Sequence, residues 1–186
     1  YLGKELEAST KVGDQRGIEV SLNNIGTGHA GKGDTDQALD CQAKAYEIAE
    51  KIGDRQMIPY ILYELARMLA KKGRFAEAEA RASKALEISA EMQIPDMVCA
   101  SNRAMGIVMS EKKDWAGAAK SFEACFAGGE VSGRQMADTL LEHGKMLKSK
   151  GDGTGAKVKL DEAAKAYDAL RAAKKAEEAR REMAGL

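Results

Sequence analysis

The chain has 186 residues, 44% of them hydrophobic and 31% charged, enough to bury a core and still present a solvated surface. Lys+Arg and Asp+Glu number 29 each, so the formal net charge is zero, which argues against a general nucleic-acid or anionic-membrane surface. Only two prolines interrupt a composition rich in Ala, Lys, Glu and Leu, and no apolar run approaches the length of a membrane span.

Taken in order, the chain is punctuated at regular intervals. Residues 1–14 carry Leu2, Leu6 and Val12, echoing the stretch that ends at Ile52. They are predicted to be the second helix of an incomplete unit. Opening mid-unit at Tyr1, without Met, is read as the mark of a fragment of a longer parent. Residues 15–54 hold two helical segments separated by Lys32-Gly33-Asp34 and closed by Gly53-Asp54. Residues 55–94 repeat the plan. Pro59 marks a start, and Leu62, Leu65, Ala66 and Leu69 fall at helical spacing. Lys72-Gly73-Arg74 makes the turn, and Ala78, Ala82, Ala85 and Leu86 follow at the same spacing, with Gln93 where a glycine is expected. Residues 95–133 start at Pro95-Asp96, turn at Lys112-Lys113-Asp114 and close early at Ala127-Gly128-Gly129-Glu130. Residues 134–171 turn at Lys150-Gly151-Asp152, and the charge-rich stretch 172–186 is predicted to cap the last apolar face. Thr35 is a further helix start. Glycine just past a helix end takes the left-handed conformation that stops it. No segment alternates with period two, so no sheet is expected. The unit is helix, tight turn, helix, looser turn, with a period near forty residues.

This pattern resembles the tetratricopeptide repeat family. The residues that carry the likeness are Ile25-Gly26, Leu65-Ala66 with Leu69, Met105-Gly106 with Met109, and Gly144 with Leu147. They are joined by Gly33, Gly73 and Gly151 at turns, and by the aromatic residues Phe75 and Trp115. Ala38, Ala78, Ala118 and Ala156 supply the small residue of the second helix, and Ala45, Ala85, Cys125 and Ala163 the later one. His143 departs from the pattern by being polar. The long period is similar to kinesin-light-chain-like scaffolds and to repeat regions of bacterial signalling proteins. The resemblance implies an all-α, right-handed superhelical solenoid of antiparallel helix pairs over residues 1–186, acting in protein binding.

Chemical motifs weigh less. Gly26, Gly31 and Lys32 give most of a phosphate-binding loop, and Gly26, Gly28 and Gly31 match a dinucleotide spacing. Gly33 stands where Ser or Thr is required, and Ile18–Ile25 reads as helix, not strand. Gly28 and Gly31 have no place in the repeat. They either loosen a helix end or admit a close approach. Gly151-Asp152-Gly153-Thr154-Gly155 reads as a flexible turn, not a calcium or phosphate loop. His29 and His143 are isolated, and no nucleophile–base pair is legible, so neither a cofactor, a metal nor an enzyme activity is expected. Cys41, Cys99 and Cys125 lack C-x-x-C spacing. They are read as small apolar residues in helices without zinc or disulfides, in a reducing cytoplasm.

In stacked repeats the first helices line the concave face. The inferred ladder is Val20, Asn23, Asn24 and Thr27, then Tyr60, Tyr63, Glu64 and Arg67, then Arg103 and Ile107, then Asp138, Glu142 and Lys145. Asn can pair with a peptide backbone, Tyr can anchor apolar groups and Arg can take a carboxylate. The expected partner is therefore a protein or peptide, with Tyr60, Tyr63, Arg67 and Arg103 as leading contacts. The family's clamp for chaperone tails is not met, since Thr27 replaces an Asn and the Lys is missing. The alternative is a regulatory or oligomerisation region of a larger bacterial signalling protein, with a homodimer formed through the first helix.

Overall fold

The computed structural model describes residues 2–127 and 129–186. Tyr1 and Gly128, both used in the sequence reading, lie outside the described residues. These residues form ten α-helices and no strand. They are α1 (Leu2–Val12), α2 (Gln15–Lys32), α3 (Thr35–Ile52), α4 (Ile58–Lys71), α5 (Phe75–Met92), α6 (Pro95–Glu111), α7 (Trp115–Ala124), α8 (Gly133–Lys150), α9 (Gly153–Ala169) and α10 (Ala173–Ala184). The fold class is all-α, built from tetratricopeptide-like helix pairs.

The turns follow from backbone sterics. Gly13, Gly33, Gly53, Gly73 and Gly151 all have φ between 70° and 90°. The same left-handed conformation is imposed on Gln93, Lys113 and Arg171, at φ of 56°, 64° and 55°. The first two stand at the register positions of the missing glycines. Helix starts are capped by carboxylates. Asp14, Asp114 and Asp152 accept from the backbone N–H of Gly17, Gly117 and Gly155 at 3.0, 3.0 and 2.9 Å. A Cβ on Gly117 or Gly155 would lie 2.5 or 2.6 Å from Oδ2, the second oxygen of the capping carboxylate. That accounts for Gly155 in the Gly151–Gly155 run: the glycine makes room for its own cap. Gly133 is the first residue of α8, behind the Ser132 cap.

The chain divides into two compact units, one ending at Ile88 and the other beginning at Ser89. In the first, α1 packs on α2, α2 on α3, α3 on α4, and α2 also touches α4. Its core joins Ala45, Tyr46 and Ala49 of α3 to Ile58, Ile61, Leu62 and Leu65 of α4 and Ala85 of α5. A polar lock covers one edge. Lys84 donates to Glu50 at 2.6 Å and also to the Tyr46 hydroxyl, which donates to Glu50.

In the second unit, α6 packs on α7, α8 on α9, and α9 on α10. Ala137 and Leu141 of α8, Ala156, Leu160, Ala163, Ala164 and Tyr167 of α9, and Ala176 and Ala179 of α10 form one cluster. The charge-rich α10 buries its two alanines and pairs Glu178 and Glu182 with Lys145 and Lys148 of α8, at 2.8 and 3.0 Å.

In three of the helix pairs the packing is matched in size. A Cβ on Gly106 would lie 2.6 Å from the Phe122 ring, and one on Gly144 would lie 2.7 Å from Leu160 Cγ. A Cβ on Gly26 would lie 2.9 Å from Gln42 Nε2. Small residues on first helices are thus paired with large ones on second helices.

Candidate binding face of the first helices

Residues forty apart hold equivalent positions, so Val20, Asn23 and Thr27 on α2 correspond to Tyr60, Tyr63 and Arg67 on α4. α2 and α4 touch, and the repeat register predicts that these residues share one face of the first unit. Val20, Asn24, Thr27 and Tyr60 are exposed, and Asn23, Tyr63, Glu64 and Arg67 are half-buried.

The face is held from beneath. Gln42 of α3, fully buried, donates Nε2 to the Asn23 carbonyl at 3.0 Å and reaches Thr27 Oγ1 at 3.4 Å. The Thr27 hydroxyl donates to the same carbonyl at 3.0 Å. On α4, Arg67 donates Nη2 to Glu64 at 2.6 Å, and its guanidinium sits 6.0 Å from the centre of the Tyr63 ring. That guanidinium is oriented by a carboxylate and an aromatic face, which suits it to exchange one carboxylate for another. Asn24 offers an amide donor and acceptor at the surface, and Tyr60 an exposed ring.

The second unit corrects the rest of the predicted ladder. Arg103 is only 6% exposed. Its Nη1 donates to Gln135 Oε1 at 2.7 Å and approaches the Gln135 carbonyl and Thr139 Oγ1, each at 3.4 Å. It is a tie between α6 and α8, not a surface anchor. Ile107 is buried as well and belongs to the core. Lys145 is engaged by Glu142 and Glu178 at 3.2 and 2.8 Å. Burial works against its charge, but these two carboxylates outweigh it and hold its pKa above the usual lysine value. Asp138 accepts from the buried Tyr167 hydroxyl at 2.5 Å and from Arg134 at 3.2 Å.

His143, polar where the repeat expects an apolar side chain, is buried and stacked on Phe122 with ring centroids 5.3 Å apart. Burial, and then Lys159, lower its pKa, so it packs as a neutral ring. Cys99 and Cys125 form a disulfide between α6 and the end of α7, which corrects the reading of all three cysteines as unbonded. The sequence separation of 26 residues is what an antiparallel pair imposes when it folds back on itself. A short-range spacing rule cannot register that. Thr139 Oγ1 lies 3.5 Å from Cys99 Sγ and 3.2 Å from Cys125 Sγ. Cys41 is the free thiol. A thiol dye applied to denatured, unreduced protein should label one cysteine, and three only after reduction. Three labels without reductant would refute the bridge.

Gly26, Gly28 and Gly31 lie inside α2, so the helix, not a strand-borne loop, carries the glycine spacing. Gly28 and Gly31 are exposed, and a Cβ on either would meet nothing within 4 Å. Among the described residues no cluster of three or more His, Cys, Asp or Glu could hold a metal ion, and no helix is long and apolar enough to cross a membrane.

Comparison with known proteins agrees with the helical-repeat fold. Residues 17–91 match the tetratricopeptide repeat family. A crystal structure of BtubC (BKLC) from P. vanneervenii is similar, with a TM-score of 0.62 at 19% identity, over 85% of this chain and 66% of that one. The chain therefore spans just under two thirds of that protein's length, and at this identity the likeness is one of fold. No curated protein matches the chain.

Proposed function

We propose that this chain, whose residues 17–91 match the tetratricopeptide repeat family, is a non-enzymatic interaction module. The α2–α4 face of its first unit takes an extended peptide carrying a carboxylate. Proteins built on this repeat generally mediate protein–protein interaction. The observation that carries the local assignment is the Tyr60–Tyr63–Arg67 stripe. Tyr60 is exposed, and Arg67 is already oriented by Glu64 and Tyr63. Asn24 lies on the adjacent helix to meet the peptide backbone. Fixing Asn23 and Thr27 through Gln42 limits the ordering cost of binding.

Arg103, Ile107 and Lys145 drop out as partner contacts. Arg67→Ala and Tyr60→Ala should each weaken capture of acidic peptides from a random library by about 10-fold or more, as expected for a buried Arg or Tyr anchor, with the melting temperature unchanged. Equal capture by both variants sinks the assignment.

A homodimer through the first helix has less to rest on. Leu6 and Ser9 are turned partly away from solvent, while Lys4, Glu5, Glu7 and Lys11 are exposed. The neutral net charge continues to support a protein ligand over nucleic acid.

A further inference from the structure

Glu19 on α2 is fully buried, and neither carboxylate oxygen has a hydrogen-bond partner among the described residues. Its register partners forty and eighty residues on are Pro59 and Cys99, both buried and uncharged. The slot is therefore one that the repeat fills with a neutral side chain. Ionising an unpaired carboxyl there costs far more than burying it protonated.

The charged groups that act on Glu19 are few. Arg16 lies one turn earlier on α2, and Asp54 sits in the turn between α3 and α4. These two pair with each other at 3.3 Å, and Asp54, with a side chain only 9% exposed, also accepts from the Met57 backbone N–H at 3.2 Å. The elements packed on α2 add no charge on their buried sides. α1 contributes the half-buried Leu6 and Ser9. α3 buries Ala38, Gln42, Ala45, Tyr46 and Ala49. α4 buries Ile58, Pro59, Ile61 and Leu62 among other apolar residues. Tyr46 is the titratable group among these, and its hydroxyl is tied to Glu50 and Lys84. The Arg16–Asp54 pair joins the start of α2 to the α3–α4 turn and supplies the two charges that act on the buried carboxyl, with Arg55 in the same turn and Glu5 and Asp14 beside Arg16.

We propose that Glu19 is a proton-operated latch on the first unit. With the proton on, α2 seats against the α3–α4 turn. With the proton off, a second negative charge beside Asp54 competes for Arg16 and loosens the first turns of α2. The carboxyl titrates in a useful range: burial, then Asp54, push its pKa up to about 7, while Arg16 opposes them. The sign follows from linkage. The unfolded group releases its proton near 4.5. The stabilisation is therefore complete below that pH and is lost as pH rises toward 7. Above 7 the seated helix carries the full penalty. This device is independent of which ligand the α2–α4 face takes.

The test is urea unfolding of the full chain at pH 5.5 and 8, with hydrogen exchange of the α2 amides, for the native protein, Glu19→Gln and Glu19→Met. Between these pH values the native unfolding constant of the first unit should rise by about 30-fold more than that of either variant, given one group shifting between these two pKa values. At pH 8 the α2 amides should exchange faster in the native protein than in Glu19→Met. Parallel pH profiles in native and variant chains overturn the latch. So does loss of folding in both variants at both pH values, since that would mean the carboxylate itself is required.

Discussion

Gly106→Ala should destabilise the chain by about 1–2 kcal/mol, whereas Gly28→Ala and Gly31→Ala should each stabilise it by about 0.5–1 kcal/mol. All three glycines lie inside helices, so alanine brings the same gain in helix propensity. Space decides the sign. At Gly28 and Gly31 the new methyl enters solvent. At Gly106 it enters the ring of Phe122, which is fully buried and held from another side by His143. A ring wedged in this way cannot swing aside, so the helices must separate or strain. Gly144→Ala should behave like Gly106→Ala, because Leu160 offers both its Cγ and, at 3.3 Å, its backbone nitrogen. Gly26→Ala should fall between the two groups, since the nearest atom is the far end of Gln42. Urea midpoints of the five variants would give this ranking. A neutral Gly106→Ala would show that the pair is looser than described. Phe122→Leu should relieve part of the Gly106→Ala penalty, and the double-mutant cycle measures how much.

Arg103→Glu should cost about 3–5 kcal/mol and melt the second unit, while Arg67→Ala should change stability by less than about 1 kcal/mol. Arg103 donates into a buried site formed by the Gln135 side chain and backbone and by Thr139. A glutamate there would present oxygens to oxygens, out of reach of water. Arg67 keeps about a quarter of its side chain exposed and pairs with a neighbour on its own helix. Circular dichroism melts of the two variants separate these cases. Equal melting temperatures would return Arg103 to the surface role that its sequence position suggested. Charge reversal at Arg103 cannot serve as a binding assay, because any loss of capture would report unfolding.

That pair shows what the sequence could and could not convey. The forty-residue period places Tyr63 and Arg103 at the same step and so predicts both as groove residues. One stays half-open and the other is covered. The difference comes from Gln135 and Thr139 on α8. Thirty-eight residues separate Gly106 from Gly144, where forty separate Gly26 from Ala66 and Ala66 from Gly106. With α7 only 10 residues long, α8 begins two positions early in the register. Periodicity predicts the face a residue lies on but not how closely the next helix approaches it. For the same reason the turns at Gln93 and Lys113 could be placed from spacing, although neither residue favours a positive φ. The Cys99–Cys125 bridge and the buried state of Glu19 depend on contacts between helices and have no local signature. Glu19 did leave a trace, since the register aligns it with Pro59 and Cys99.

The size-matched partners give each repeat a private key. Gly26 meets Gln42, Gly106 meets Phe122 and Gly144 meets Leu160, while Ala66 and Ala82 hold the equivalent positions in the second pair. A first helix moved from one repeat to another would bring the wrong key: Ala66 set before Phe122 would jam, and Gly106 set before Ala82 would leave a hole. Units that look interchangeable along the chain are therefore not exchangeable parts. Shuffling by recombination would be tolerated only at the turns between complete pairs, and libraries built from these repeats should cut there.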